Sequence, residues 1–585
     1  MRWGVLGLAC LLPVLAPAEE TRKGKNNPCE PPIEQRKSLR LPGKEARALQ
    51  HPCDPARLAP PKMERQKLPA VPDRWRIVDS LPGYNNNLLD PYHRNVLKAD
   101  KPVMGDDWFF LFTGISDTVY EPRRLPTPVG IQTTGNADQI DIFGQGEQTT
   151  FNQNLITEFA LIKGDTVFRP PDWEFRLTPV FNFNQTEAEE LRVLRIDPRE
   201  GKIRTDDHVG LQAAFADYHI RNVSPRYDFD SVRVGIQPFN ADFRGFLFQD
   251  NQPGVRFFGT RDNNIFQYNL AWFRRLEKDT NSGLNDVGEP LREDDVFVAN
   301  LYWQDMPVLG FFTQATVLHN RNREDDFFFD NNGFVARPAS LGFEKPREYD
   351  VTYLGLNGDG HFGRMNLTAA TYFATGESNQ GVFVDEPTDI RAWFAAAEAG
   401  WDQDWIRYRG SLVLQSGDPD PYDDLEEGFD AIFENPIIAG ADTSFWIRQA
   451  VPLIGGGGVT LSTRNGMLAN LRPNKEHGQS NFTNPGLVLA GLGTDLDLTP
   501  TTRLSFNFNH LSFMNTAVLE AARQQADLDP DIGWDVSSAL IYRPLAIQNI
   551  VFRLSGAALL PGDGYKQLYK DETGYSVLAN LTLTF

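Results

Sequence analysis

The sequence predicts an all-β fold: a transmembrane antiparallel β-barrel of about 18 strands (roughly 16–20), preceded by a proline-rich extension. Three observations predict it. The chain is 41% hydrophobic and 12% aromatic yet polar on average, with a mean hydropathy of −0.40, and beyond the N-terminus no run reaches the ~18 apolar residues a spanning helix needs. From about residue 105 onward, segments of about 10–14 residues alternate apolar and polar, the length and pattern of a tilted strand crossing a bilayer. The last of these segments keeps its alternation up to a terminal Phe585.

Taken in order, residues 1–18 read as a secretory signal. Arg2 supplies the positive start, Val5 to Leu15 the apolar stretch, and Ala16-Pro17-Ala18 a small-residue cleavage site. Cys10 lies within that stretch, but Gly7 stands where a lipoprotein signal would carry a bulky aliphatic residue. Residues 19–105 form a basic extension with eleven prolines between Pro28 and Pro82. Proline withholds a ladder donor, so this stretch is not barrel; it is either a periplasmic or lumen-entering element or a plain linker. Its Cys29 and Cys53 pair most simply as a disulfide in an oxidising compartment, zinc ligation being the weaker alternative because no nearby His or Cys completes a tetrahedron. No CxxCH motif occurs, which excludes covalently attached haem, and no cofactor or metal is expected. Residues 19–76 hold 14 Lys and Arg against 8 Asp and Glu, whereas the whole chain carries −21.

Residues 106–585 make the barrel. Trp173, Phe175, Leu177, Phe181 and Phe183 share one strand face, opposite Glu174, Arg176, Thr178, Asn182 and Asn184. Ile406, Tyr408, Leu412 and Leu414 likewise face away from Arg407, Arg409, Ser411 and Gln415, and Phe552 and Leu554 away from Arg553 and Ser555. A soluble sandwich also alternates, and the connections argue against it. Very short turns, as at 357–360, 401–405, 498–501 and 543–545, take turns with long polar stretches near 276–293, 321–347, 377–389, 417–441, 514–532 and 561–573. Outer-membrane barrels carry short turns on the periplasmic side and long loops outside. In the final strand Tyr575, Val577, Ala579, Leu581, Leu583 and Phe585 fall on one face. A terminal aromatic preceded by such a row resembles the signal read by the barrel-assembly machinery, an expected partner along with outer-membrane lipid.

Lipid-facing residues must be apolar, so the polar strand faces are expected to line a lumen. That places Arg176, Arg233, Arg364, Arg407, Arg409, Arg503 and Arg553 inside, with fewer acids, Glu158 and Glu174 the clearest. Acidic residues concentrate instead in loops, at 324–326 and 418–430. Two readings stay open: a basic bore that favours anions, or arginines that pair with carboxylates and brace the wall. The long segment Ala241 to Asn264, rich in Phe and Arg (Phe243, Arg244, Phe246, Phe248, Arg256, Arg261), is a candidate constriction folded back into the pore, or else an external hairpin.

Val232-Arg233-Val234-Gly235-Ile236-Gln237, then Asp250-Asn251 and Arg256-Phe257-Phe258-Gly259, and later Ser416-Gly417-Asp418 leading into Gly428-Phe429-Asp430, resemble the alginate-export-like outer-membrane porins. The likeness spans mainly residues 230–430, with Ile236 and Phe258 standing where that family commonly has Arg and Asp. It implies an 18-stranded barrel with a constricted, electropositive lumen that exports or admits anionic saccharides or other anions.

Weaker signals stand beside it. His510-Leu511-Ser512 with Asn515 resembles the arrangement of an outer-membrane phospholipase, yet its strand places the pair at a lipid-facing end, so no enzyme is expected. Asp418 to Asp424 could offer oxygen ligands to calcium but lacks the spacing of a calcium loop. Gly455 to Gly458 has no following Lys-Ser/Thr and is no phosphate loop. Trp173, Trp401 and Trp405 fit an aromatic belt. The expected function is an outer-membrane channel for polar, anionic solutes such as saccharides. The alternatives are a plugged scaffold docking a periplasmic partner through the extension and, least favoured, a lipase-type hydrolase; nucleic acid is not an expected partner.

Overall fold

Alternating strands close on themselves in the computed structural model, which describes residues 95–585 apart from 130–141, 165–169, 226–227, 455–457, 460, 462–463, 469–470, 545–546 and 570. The signal segment, Cys29, Cys53 and most of the extension lie outside the described residues. The barrel comprises eighteen antiparallel strands. They are β1 (Trp108–Arg124), β2 (Glu147–Lys163), β3 (Trp173–Ala188), β4 (Ile203–Asn222), β5 (Phe229–Asn240), β6 (Gln249–Arg261), β7 (Phe266–Arg274), β8 (Asp294–Gln304) and β9 (Phe311–Asn322). There follow β10 (Tyr349–Phe362), β11 (Met365–Ser378), β12 (Thr388–Gln403), β13 (Ile406–Gln415), β14 (Leu487–Thr499), β15 (Thr502–Ser512), β16 (Asp531–Tyr542), β17 (Ile550–Pro561) and β18 (Gly574–Thr584).

Each strand pairs with the next, and β18 returns to β1 in register from Ile115 opposite Thr584 to Arg124 opposite Tyr575. Closure matters because an open sheet edge in hydrocarbon would leave a row of unpaired amides. Phe585 extends the seam: its N–H donates to the Gly114 carbonyl at 2.8 Å, and its own carbonyl accepts from Gly114 N–H at 3.1 Å. Below it, a short strand, Lys98–Met104, takes up the rest of the β1 edge. From there Lys98 donates to the Phe112 carbonyl at 2.7 Å and sits 4.5 Å over the Phe585 ring. No helix among the described residues is long and apolar enough to cross a membrane.

The connections divide by end. At one end β2–β3, β4–β5, β6–β7, β8–β9, β10–β11, β12–β13, β14–β15 and β16–β17 join through connections of two to nine residues. At the other lie 125–146, 189–202, 241–248, 275–293, 323–348, 379–387, 416–486, 513–530 and 562–573, carrying three short helices, α1 (Phe445–Arg448), α2 (Ala517–Arg523) and α3 (Asp563–Leu568). The outer surface is a band of exposed apolar side chains, including Phe175, Leu177, Phe181 and Phe183 on β3 and Val577, Leu581 and Leu583 on β18. Trp303, Trp401 and Trp405 stand exposed at the short-turn end. On β5, Gly235 takes φ +122°, and a Cβ there would lie 2.2 Å from the Ala214 carbonyl oxygen, so only glycine lets β4 and β5 approach.

The polar-inside rule holds over only part of the wall. On β8 to β15 the halves of the strands nearest the long loops turn apolar residues inward as well: Val351 and Tyr353 on β10, Ile390, Ala392 and Phe394 on β12, Val413 on β13, Leu489 on β14 and Leu511 on β15 are all buried. These inner faces would otherwise face water. The described residues of 416–486, an inner segment reaching far beyond the stretch 417–441 expected as a loop, fold into the barrel and cover them with Phe429, Ile432, Phe433, Phe445, Trp446 and Ile447. Burying one such side chain contributes about 1.5–3 kcal/mol.

Candidate functional site: a half-filled bore

Two carboxylates fix the inner segments in place. Asp242 begins the loop 241–248 and accepts from the backbone N–H groups of Arg244 (2.8 Å), Gly245 (2.6 Å), Phe246 (3.0 Å) and Leu247 (3.1 Å), and from the Tyr372 hydroxyl of β11 at 2.9 Å. A short polar side chain answering four amides curls the loop tightly, and the curl sends Phe246 to within 5.2 Å of Phe394. Phe248 pairs with Phe433 in an isolated bridge. On β16, Asp535 accepts from the Ser444 hydroxyl and from the N–H groups of Phe445 (3.1 Å) and Trp446 (3.0 Å), satisfying the first turn of α1. At the far end of α1, Arg448 and Gln449 both reach Glu121 of β1, so the helix bridges β16 and β1.

The segment expected as one constriction, Ala241 to Asn264, is thus divided. Phe243, Arg244, Phe246 and Phe248 lie in the inward loop, whereas Arg256 and Arg261 belong to β6. Arg256 points inward, donates to Asn269 at 2.8 Å and lies 4.6 Å over the Phe258 ring. Arg261 shares the outer face with Tyr268 and pairs with Asp230 at 2.7 Å, so it is not a bore residue. Strand alternation decides this: Arg261 is five positions from Arg256, an odd count that reverses the face.

Six of the seven arginines expected in the bore lie on inner strand faces; the exception is Arg364, exposed in the turn between β10 and β11. Each of the six has a carboxylate partner. Arg176 pairs with Glu158 (3.1 Å) and Glu174 (2.7 Å), and Arg233 with Asp217 (2.8 Å). At the short-turn end Arg407 pairs with Asp402, Arg409 with Asp495 (3.1 Å), Arg503 with Asp497 (2.7 Å) and Arg553 with Asp442 of the inner segment (2.6 Å). Acids on the inner faces were therefore more numerous than the pattern of Glu158 and Glu174 foretold. Arg407 and Arg503 keep 48% and 44% of their side-chain surface open, enough to meet a solute while paired. Around them is a vestibule of about 360 Å³ whose lining includes Arg244, Arg407, Arg409, Arg503 and Arg553 with Glu398, Asp442 and Asp495.

The wall β2 to β6 is polar in a different way. Asn182 donates to both Asn152 (2.6 Å) and Asn154 (2.7 Å), and Asn184 donates to Asn182 (2.8 Å), a neutral carboxamide row across β2 and β3. Facing it is a chamber of about 550 Å³, bounded by Gln212, Asn240, Gln249 and Asn251 and by Lys278, Asn435 and Arg464 of the inner segments. Lys278 pairs with Asp250 at 2.7 Å; burial pulls its ammonium down to about 8 although Asp250 opposes the shift.

A buried ionic cap joins three connections at the long-loop end. Arg292 holds Glu324 through two bonds (2.7 and 2.9 Å) and donates to the carbonyls of Glu476 (2.9 Å) and Gly478 (3.3 Å). Arg337 pairs with Glu277 (2.6 Å) and Glu324 (3.1 Å), and His477 meets Glu277 at 3.1 Å. Burial pushes the Glu277 carboxyl upward, but His477, Arg292 and Arg337 together hold it down at about 2.

The remaining sequence signals find structural roles. His510 pairs with Asp531 at 3.1 Å and packs on Trp534, and no hydrogen bond joins it to Ser512. No group of three or more His, Cys, Asp or Glu side chains that could hold a metal occurs among the described residues, and residues 455–457 of the glycine run lie outside them.

No family model matches the chain, and no curated protein matches its sequence. Among solved structures, one neighbour is a BenF-like porin. It comes from Pseudomonas fluorescens Pf-5 and aligns with a TM-score of 0.44 and 11% identity over 81% of this chain and 98% of that one. OccK9 (OpdG) of Pseudomonas aeruginosa aligns at 0.45 and 10% over 81% and 98%, and OccAB1 of Acinetobacter baumannii at 0.43 and 8% over 81% and 96%. At these values neither residue roles nor solutes carry over.

Proposed function

We propose that the chain is an outer-membrane channel of a Gram-negative bacterium that passes small polar solutes and favours anionic ones, saccharide acids among them. The short-turn end then faces the periplasm and the long loops face outside. The observation that carries this reading is the vestibule, where five guanidinium groups converge on one cavity while carboxylates hold them in fixed positions. An ordered arginine offers planar donors to a carboxylate without first losing rotamer freedom. Insertion by the barrel-assembly machinery through the strand ending at Phe585, and docking of a periplasmic protein on the basic extension, belong to the same proposal. So does kinship with the alginate-export-like porins.

A second reading, a sealed scaffold, is favoured by the inner segment 416–486, which fills one side of the barrel. Planar-bilayer recording separates the two: a channel gives stepwise currents, a sealed barrel none. In a KCl gradient the reversal potential of the wild type should indicate anion preference, and Arg407→Glu with Arg409→Glu should move it toward cations. An unchanged potential would refute the role given to the arginines.

A further inference from the structure

The vestibule accounts for charge, but the chamber higher in the bore is lined mainly by neutral groups, and their bonding is lopsided. Asn154 accepts from Asn182 and Gln212 accepts from Asn251, and among the described residues the amino groups of Asn154 and Gln212 have no protein partner. Asn240 accepts from the Asp242 N–H and Asn435 from the Asn465 N–H, which again leaves both amino groups without one. Asn251 gives its amino group to Gln212, and among the described residues its side-chain oxygen has no partner. Five carboxamides from β2, β4, β5, β6 and the inner segment thus each hold at least one unpaired end around a single cavity of about 550 Å³. That size lies within the range of about 300–1,000 Å³ typical of small-molecule sites.

We infer that this chamber is a binding subsite for the hydroxyl groups of a sugar ring. A hydroxyl both donates and accepts, and so does a mixed set of four amide donors and the amide oxygen of Asn251. A carboxylate could use only the donors. Pro238, Phe239 and Leu284 add apolar surface for the C–H face of the ring. At the margin Asp250 is paired with Lys278 and lies 3.8 Å from Arg464, so one net positive charge stands beside the neutral groups. The chamber reads hydroxyls beside that one residual charge, and it sorts sugar acids from other anions admitted by the vestibule. As a step in passage this rests on the channel reading above; as a site it does not.

Maltotriose, uncharged and rich in hydroxyls, is the probe. Added to single channels of the full-length protein, it should interrupt the current in proportion to its concentration, whereas a polyethylene glycol of similar mass should not. Gln212→Leu with Asn251→Leu removes two side chains that bond each other, so neither is left orphaned. The pair should weaken the block by about tenfold, the loss of two to three modest hydrogen bonds, while the heat-modifiable folded form persists. Block of equal strength in the double variant, or equal block by the glycol, overturns the site. Should no current appear at all, calorimetry of maltotriose with the detergent-solubilised protein decides: binding lost in the double variant upholds the subsite while sinking the channel reading, and no binding by the wild type overturns the subsite.

Discussion

Replacing Arg292 with Met should loosen the inner segment from the outer rim. Arg292 is buried, bidentate to Glu324, and gives its remaining donors to the carbonyls of Glu476 and Gly478. The cap sets Arg292 and Arg337 against Glu277 and Glu324, so the substitution leaves one buried carboxylate without its guanidinium. Breaking a buried pair from one side costs about 3–5 kcal/mol. Adding Glu324→Gln removes the stranded charge and leaves Arg337 with Glu277, so the double variant should recover much of that loss. The assay is limited proteolysis and hydrogen exchange of residues 471–481 in detergent micelles, with heat-modifiability confirming that the barrel itself persists. Greater exposure in Arg292→Met than in the double variant is expected. Equal behaviour of the two would refute the argument from an uncompensated charge, and unchanged protection in both would refute the pinning of the inner segment.

Two further outcomes follow from the geometry. Glu277 is held at about 2 against an ordinary 4.5, so the stability it contributes is complete above pH ~4.5 and disappears as pH falls toward 2; protease sensitivity of the long-loop end should rise in that window, and an onset near neutral pH would contradict it. Deleting Phe585 removes two backbone bonds to Gly114, about 1 kcal/mol each, and the ring beneath Lys98. The folded, heat-modifiable fraction should fall sharply on refolding, and an unchanged yield would show that the seam does not depend on the last residue.

Much of the barrel was legible because its rule is local. A period of two, as in β3 from Trp173 and in β18 from Tyr575, states which face meets lipid without reference to any other part of the chain. The interior was less legible because its partners are remote. Ala392 and Phe394 sit on an inner face, and nothing near them in sequence says that Phe246 and Phe429 will cover it. The inner segment past residue 441 lacks alternation and so offered no periodic signal, though its length alone marks it as functional by the rule for long loops. Arg364 was misplaced by a boundary, a two-residue turn between β10 and β11 absorbing it. Arg261 was misplaced because a run read as one loop hides the alternation of a strand. The chamber carboxamides gave no signal either, since Asn and Gln on a polar face look alike whether the bore beside them is filled or open.

A channel built this way conducts water and solutes along the carboxamide side of the bore while the opposite side is packed shut. Cysteine accessibility tests it most directly, in a background with Cys29 and Cys53 replaced by Ser. A small charged thiol reagent added to open channels should cut the current of Gln212→Cys and leave that of Ala392→Cys unaffected. Reaction at Ala392→Cys, or an inert Gln212→Cys, would contradict the account.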